Sequence, residues 1–317
     1  MPALPPAPSA SRADVRPRGR GPIRRTLRWL HLVVGLTAGL VLVPMGLSGS
    51  LLVFRPEIDA AMYPALHRVS VGPERAPLDS VMAAVRQAYP SMPVSRIDYA
   101  ARPEGTLKVV LADSRTVFAD PYTARLLGAQ GPTESFTGVL FDLHHHLLMG
   151  EAGEQATGYV GLALVFLVIS GLVLWWRGWR NARLRVRWRR SPHLVSYDLH
   201  NVVGAVASVF LLITAVSGAG LVFHDAFDAT AVAVTGEAMP AGPPKSTPMG
   251  SAAPAALARL VAQAQAAIPS ARVARVIPAG TPEAAVLVRM RLPTEIHPIG
   301  MSRVYLDAYS GEVLRVM

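Results

Sequence analysis

Three long apolar runs constrain the fold of this chain more than any other feature of its sequence. They cover residues 29–54, 159–176 and 198–224, and a helix needs about 20 apolar residues to cross a bilayer. The shortest run has 18 residues, which as a helix still reaches roughly 27 Å. We therefore expect a mainly α-helical membrane protein with three transmembrane helices.

The placement of the basic residues predicts an orientation. Of the 31 lysines and arginines, seven arginines lie at 12–28, before or at the start of the first run, and seven more lie at 177–190, between the second and third runs. The positive-inside rule then puts the N-terminus and the 177–197 loop in the cytoplasm, and the segments 55–150 and 225–317 outside. Arginines beside membrane spans also explain the net charge of +10. We accordingly expect contact with membrane lipid and no nucleic-acid partner.

The chain also repeats itself. A shift of 169 residues places "LHLVVG" at 30–35 on "LHNVVG" at 199–204, so that His31 aligns with His200. The same shift aligns Ser48-Gly49 with Ser217-Gly218, in an ungapped match across a whole span. Because polar and small residues match as well, shared hydrophobicity does not explain the repeat, which indicates a duplicated unit.

The outer segments correspond too, with gaps. "VFADPYTARLL" at 117–127 resembles "VYLDAYSGEVL" at 304–314, and each outer segment predicts a short helix, about 77–89 and 254–268, followed by strands that end in an Asp-x-Tyr turn. Short β-branched strands beside one helix predict two small α+β domains, one per repeat. The Pro/Gly/Ser-rich stretch 236–255 in the second copy predicts a flexible linker.

The paired histidines suggest a haem site. His31 and His200 each lie about one turn inside the cytoplasmic boundary, and polar residues within a span are costly and usually functional. Gly35 and Gly39 follow His31 at i+4 and i+8, and Gly204 follows His200 in the same way. An imidazole with a strip of small residues suits haem iron and a flat porphyrin. The alternative is a pair of interfacial histidines with small-residue helix packing.

A second histidine group lies near the outer boundary, in "FDLHHHLLMG" at 141–150. His144 and His145 share a helical face with Phe141, which predicts an amphipathic turn at the interface. One or two of these histidines could bind a metal, or the group could be a solvated polar patch. His224, at the outer end of the third span, faces this site and is a weaker candidate ligand because it aligns with Arg55 and not with a histidine.

The sequence lacks the residues that several kinds of site require. The chain has no cysteine, which excludes disulfides and cysteine-held iron–sulfur clusters. No nucleotide-binding motif is visible. Electrons would therefore come from a donor such as membrane quinol or a partner protein.

These segments resemble the PepSY-associated transmembrane family of bacterial inner-membrane proteins. The resemblance covers nearly all of residues 24–317, and it rests on "LRWLHLVVG…LSGSLLVFRPEID" at 27–59, "DPYT" at 120–123, "DLHHHLLMGEAG" at 142–153, "SGLVLWW" at 170–176 and "YDLHNVVG…VSGAGLVF" at 197–223.

The resemblance implies periplasmic PepSY-like domains and a haem-dependent reductase of ferric siderophores or similar ferric chelates, linked to iron uptake. His31 and His200 match the family histidines of the first and third spans, and the Leu-His pattern places a further ligand of haem iron at His144, with His145 as second choice. The implied cofactor is haem b, in one or two copies.

Family members typically carry a fourth span with its own histidine, and we expect that helix to be missing here. The sequence could be truncated before that helix, or a partner or a second copy of the chain would supply it, or His224 or His145 would replace its histidine, or only the inner haem would bind.

Two other functions stay open at this point. The chain could be a non-enzymatic PepSY scaffold with a regulatory role, or a metal-binding component that uses the cluster at 144–146.

For the organisation of the chain, the sequence predicts the following segments: a cytoplasmic basic tail (1–26), a first span (27–54), a first PepSY-like domain (55–135), an interfacial histidine segment (136–156), a second span (157–177), a cytoplasmic basic loop (178–196), a third span (197–224) and a second PepSY-like domain (225–317).

Overall fold

A computed structural model describes residues 21–176, 184–237, 242–248 and 253–317 of the chain. Outside the described residues lie 1–20 of the expected basic tail, 177–183 where the second span passes into the basic loop, and 238–241 and 249–252 of the expected linker. The chain divides into two compact units. One contains the chain up to Val43 together with Gly158–Phe223, and the other contains Pro44–Thr157 and His224–Met317.

Three helices are long and apolar enough to cross a membrane: α1 (Pro22–Leu52), α6 (Gly150–Trp176) and α7 (Pro192–Val222), with mean hydropathies of 2.0, 2.3 and 2.2. Much of their apolar surface faces outward, as at Leu36, which is 69% exposed, and Phe210, which is 72% exposed. A helix satisfies its own backbone polar groups, so such a surface suits lipid. The length and composition of these helices confirm the three predicted spans.

The rest of the described chain forms short helices and strands. The helices are α2 (Arg55–Met62), α3 (Pro64–His67), α4 (Leu78–Ala88), α5 (Phe136–His146), α8 (His224–Thr235) and α9 (Leu257–Ala267). The strands are β1 (Val94–Asp98), β2 (Leu107–Leu111), β3 (Thr116–Ala119), β4 (Leu126–Gln130), β5 (Arg272–Ile277), β6 (Val286–Arg291), β7 (Ser302–Leu306) and β8 (Val313–Val316). Helices α4 and α9 are the two short helices that the repeat predicted.

The strands form one antiparallel sheet with the order β4-β3-β2-β1-β5-β6-β7-β8. Alternate residues of the strands point to the same face, so each strand contributes one apolar row to a common core. That core includes the fully buried Ile97, Val109, Val276 and Val288, and it is closed by α4 and α9, for example through Leu260. Burial of these side chains is the main source of stability in this part of the chain.

The central pair β1–β5 joins the two halves of the repeat, a pairing that the sequence did not predict. Ile97 lies opposite Val276 and Asp98 opposite Arg275, so the two expected α+β domains form one continuous sheet. Two membrane-length helices, α6 and α7, lie between the halves in the chain. An even number of crossings returns the chain to the same side of a membrane, which the continuous sheet requires.

The predicted Asp-x-Tyr turns occur in both halves with the same hydrogen bonds. Oδ1 of Asp120 accepts from the backbone N–H of Tyr122 at 2.8 Å, and Oδ1 of Asp307 accepts from that of Tyr309 at 2.9 Å. Burial alone would raise the pKa of both aspartates, but the backbone N–H donors stabilise the carboxylates and the net pKa is lowered. The turns confirm the repeat at the level of single bonds.

Candidate functional site

His31 and His200, the two residues predicted to bind the inner haem, lie side by side. His31 is on α1 and His200 is on α7, and their ring centroids are 6.3 Å apart with the ring planes inclined by 72°. The sequence placed them at matching depth on two helices, and the structure brings the two imidazoles together.

Ser170, on α6, determines which ring nitrogen of His31 is available. Its hydroxyl oxygen lies 2.8 Å from Nδ1 of His31, and the hydroxyl donates to the carbonyl oxygen of Leu167 at 3.3 Å. When the Ser170 proton points to Leu167, the Ser170 oxygen accepts the proton on Nδ1 of His31. Nε2 of His31 therefore carries the lone pair that a metal ion needs.

The glycine next to the His31 ring is Gly171, not one of the glycines that the sequence singled out. A Cβ added at Gly171 would lie 3.2 Å from Cε1 of His31, which is tighter than an ordinary contact. Added Cβ atoms at Gly39 and Gly204 would meet nothing within 4 Å, and one at Gly35 would make an ordinary contact with a leucine at 3.6 Å. The predicted small-residue strip is thus open at Gly39 and Gly204, while close approach to the ring occurs at Gly171.

The histidine pair fits an iron bound between two imidazoles. A metal–imidazole bond is about 2 Å long and the ring centre lies about 1 Å behind the nitrogen, so one metal separates two opposed ring centres by about 6 Å. The observed 6.3 Å lies close to that separation, and it is also the distance of a direct edge-on contact between the two rings. A metal-binding histidine usually donates its other ring N–H to an oxygen, as Nδ1 of His31 does to Ser170.

An open cleft of about 660 Å³ lies beside His200. It is lined by His200, Leu199 and Val203 of α7 and by Trp188 and Arg190 of the preceding loop. The cleft thus combines an imidazole, an aromatic ring, apolar side chains and a guanidinium. These groups suit a flat apolar ligand that carries a negative charge at one edge.

The loop that carries Trp188 and Arg190 is tied to α7 by an ion pair. Nε of Arg187 donates to Oδ2 of Asp198 at 2.8 Å, and a terminal nitrogen of Arg187 donates to Oδ1 at 2.8 Å. The backbone N–H of Arg187 also donates to Oδ2 at 3.1 Å. Because Asp198 is only 7% exposed and precedes His200 by two residues, this bidentate pair positions the loop against the helix turn that carries His200.

The histidine segment forms α5, as the sequence predicted. Ser135 caps the helix by accepting from the backbone N–H of Gly138 at 3.0 Å. His144 points to α1, where its Nδ1 lies 2.8 Å from the carbonyl oxygen of Met45 and 3.4 Å from the hydroxyl of Ser48. A carbonyl only accepts, so Nδ1 of His144 carries the proton and Nε2 carries the lone pair.

His145 and His146 have different partners. The ring of His145 stacks on Phe141 with centroids 4.2 Å apart, and Nδ1 of His146 lies 2.8 Å from a carboxylate oxygen of Asp142. Burial lowers the pKa of His145, and the neighbouring charges of His144 and His146 lower it further. A lowered pKa favours the neutral imidazole, which is the form that binds metal.

His224 lies apart from this group. It starts α8, its side chain is 71% exposed, and its Nε2 lies 3.4 Å from the carboxylate of Asp225. Within the described ranges it makes no ring contact with His144 or His145. In the same ranges, no three histidine, aspartate or glutamate side chains form a group arranged for a metal ion.

His31 and His144 each pack against a Ser-Gly pair of their own, a feature that the sequence did not predict. Ser170-Gly171 holds His31, and Ser48-Gly49 holds His144 in the same way, with an added Cβ at Gly49 only 2.7 Å from Cε1 of the ring. In each pair the serine oxygen lies near Nδ1 and the glycine leaves space for the ring. The signal was present, because each of the three apolar runs contains one Ser-Gly pair.

Comparison with known proteins gives a family. A curated relative, an uncharacterized protein of Pseudomonas aeruginosa, is 34% identical over 83 residues, which is 26% of this chain. The match spans only 20% of that relative's length. The sequence profile of the PepSY-associated TM region matches residues 28–282, which include all three membrane-length helices and the histidine segment. The chain therefore belongs to the PepSY-associated transmembrane family.

Proposed function

We propose that this membrane protein carries haem b and passes electrons across the bacterial inner membrane to a periplasmic Fe(III) chelate, such as a ferric siderophore. The observation that carries the proposal is the meeting of His31 and His200, with ring centroids 6.3 Å apart and Nδ1 of His31 bonded to Ser170.

The residues have separate tasks in this proposal. Nε2 of His31 and a ring nitrogen of His200 would hold the iron of haem b, and Ser170 would keep the His31 ring in the orientation and tautomer that binding requires. Bound haem b with two histidine ligands has no open position, so it supplies one-electron transfer and not oxygen binding.

The cleft beside His200 supplies the groups that would bind a ligand on the side of the electron donor. Arg190 would pair with negative charge at the edge of a bound ligand, and Trp188 would cover an apolar ring. The ion pair between Arg187 and Asp198 keeps both groups beside His200. With the basic loop on the cytoplasmic side, the electron donor is membrane quinol or a partner protein that approaches there.

His144 is the proposed ligand on the periplasmic side. Its Nδ1 is bonded to the carbonyl of Met45, so Nε2 would be free to hold the iron of a second haem, with His145 or His224 as a candidate second ligand. The acceptor takes one electron per Fe(III). The product Fe(II) is held more weakly by hard oxygen ligands, so the reduction releases the metal from its chelate.

A reduced-minus-oxidised absorption spectrum of the purified full chain tests the proposal. We expect the α-band of b-type haem in the wild type and a loss of intensity in His31→Ala and in His200→Ala. His193→Ala is the matched control, because His193 is an exposed histidine on the first turn of the same helix as His200; it should keep the full band. A protein without any α-band, or full bands in both His31→Ala and His200→Ala, would refute the proposal.

A further inference from the structure

Five arginines are concentrated on three neighbouring strands of the sheet. Strands β5, β6 and β7 contain no aspartate or glutamate, and their arginines are Arg272, Arg275, Arg289, Arg291 and Arg303.

The strand register puts all five on one face. Arg275 lies opposite Arg289, and Arg289 lies opposite Arg303, which makes a continuous row across three strands. Arg272 lies opposite Arg291 on the same face. Residues 272 and 275 would point to opposite faces of a regular strand, but a β-bulge between Val273 and Arg275 restores them to one side.

This basic face is the one that α9 does not cover. The alternate residues Val276, Val288 and Val304 are fully buried in the core beneath α9. Arg303 on the basic face is exposed, and Arg275 has 20% of its side chain exposed. Arg303 is thus open to solvent and Arg275 is partly so, whereas Nε of Arg289 is buried.

The row is costly for the fold, because like charges directly opposite each other destabilise a sheet. Burial lowers the pKa of Arg289, and the charges of Arg303 and Arg275 lower it further. Nε of Arg289 is buried without a hydrogen-bond partner, although a terminal nitrogen donates to the carbonyl of Gly300 at 2.7 Å.

Two carboxylates lie near the row: Asp98 forms an ion pair with Arg275, and Glu295 acts on Arg289 through its charge. Asp98 bonds to Arg275 at one end, and Arg96 donates to the same carboxylate. The charge of Glu295 acts on Arg289, but its oxygens accept from the backbone N–H of Leu292 and from a serine hydroxyl. No carboxylate pairs with Arg303 among the residues that the structure describes.

The other half of the sheet carries different residues at the corresponding positions. There the corresponding register positions carry Arg96, Val110 and Thr116, since Arg96 lies opposite Val110 and Val110 opposite Thr116. Two of these three positions, Val110 and Thr116, carry no charge. Val110 is only 5% exposed, so this face is covered in the first half, whereas in the second half it carries the exposed Arg303.

We propose that Arg275, Arg289 and Arg303 bind an anionic, carboxylate-bearing ferric chelate. Neighbouring strands are about 4.8 Å apart, so three guanidinium groups span roughly 10 Å, the width of a small metal chelate with several carboxylates. Arginine is the side chain that binds carboxylates through two parallel hydrogen bonds. The identification of the anion as a ferric chelate rests on the proposed function; the anion site itself rests on the row.

Equilibrium dialysis of the oxidised full chain with radioactive ferric citrate tests this site without any electron transfer. The variants Arg289→Val and Arg303→Thr carry the residues of the first half of the sheet, and circular dichroism checks that both fold. We expect each variant to weaken binding by about 10-fold and the double variant by about 100-fold. Arg86→Gln, which removes one exposed positive charge from α4, should bind ferric citrate as the wild type does.

Two comparisons identify the ligand class. A positively charged ferric trihydroxamate should show no dependence on Arg289 or Arg303, and anionic phospholipid vesicles should not compete with ferric citrate. Unchanged ferric citrate binding in the double variant would overturn the inference, as would competition by the vesicles. A chain that lacks a haem spectrum but loses ferric citrate binding in the double variant would refute the proposed function and leave the anion site standing.

Discussion

Replacing Gly49 with alanine would push a methyl group into the ring of His144. The added Cβ would lie 2.7 Å from Cε1 of His144, whereas ordinary van der Waals contacts begin at 3.4 Å, so the ring must move by about 0.7 Å. That movement stretches the 2.8 Å hydrogen bond from Nδ1 to the carbonyl of Met45. A lost hydrogen bond costs about 1 kcal/mol and a strained side-chain rotamer about 1 kcal/mol, which together make about 2 kcal/mol.

Unfolding titrations with SDS in mixed micelles measure this cost. Gly46→Ala is the control on the same helix, because an added Cβ at Gly46 meets nothing within 4 Å. Both substitutions gain the same helix propensity, so Gly49→Ala should be less stable than Gly46→Ala by about 2 kcal/mol. In a His144→Ala background the difference should vanish, as a double-mutant cycle requires. An equal cost of Gly49→Ala in both backgrounds would refute the steric account.

Three further predictions concern single contacts. Ser170→Ala removes the partner of Nδ1 of His31, and haem titration into the apoprotein should show about 10- to 100-fold weaker binding; unchanged affinity would count against the assigned tautomer. Thr137→Val removes the 2.5 Å hydrogen bond to the buried carboxylate of Asp59, and denaturation should show a loss of about 2 kcal/mol. The lowered pKa of Asp120 adds stability above its unfolded pKa, so stability should fall as the pH drops through the folded pKa. Asp120→Asn should be less stable at neutral pH but should lack this acid dependence.

The sequence predicted the features that depend on local pattern. Three spans follow from length and hydropathy, and the His31–His200 pair follows from an ungapped repeat that places both residues at one depth. The order of helix and strands in each half follows from the same repeat, and so do the aspartate turns. Each of these inferences needs only residues that are close in the chain or equivalent in the two copies.

The contacts that the sequence did not predict join residues that are far apart in the chain. Ser170 meets His31 across 139 residues, and Ser48 meets His144 across 96 residues. The repeat marked Ser48 and Gly49 without giving their role, since their equivalents Ser217 and Gly218 seat no described histidine and Gly218 meets nothing within 4 Å. Hydropathy cannot show which face of one span packs on another, so these partners emerge only in three dimensions.

The pairing of β1 with β5 has a consequence for biosynthesis. Ile97 can pair with Val276 only after a further 179 residues have been synthesised. At about 5–20 residues per second, the ribosome needs roughly 10–40 s to make that length of chain. During this interval β1 is an open sheet edge, which is prone to pair with other chains. Two membrane-length helices must also be inserted before β5 reaches the same side. The first half of the sheet is therefore the part of the nascent chain that most needs protection by a chaperone.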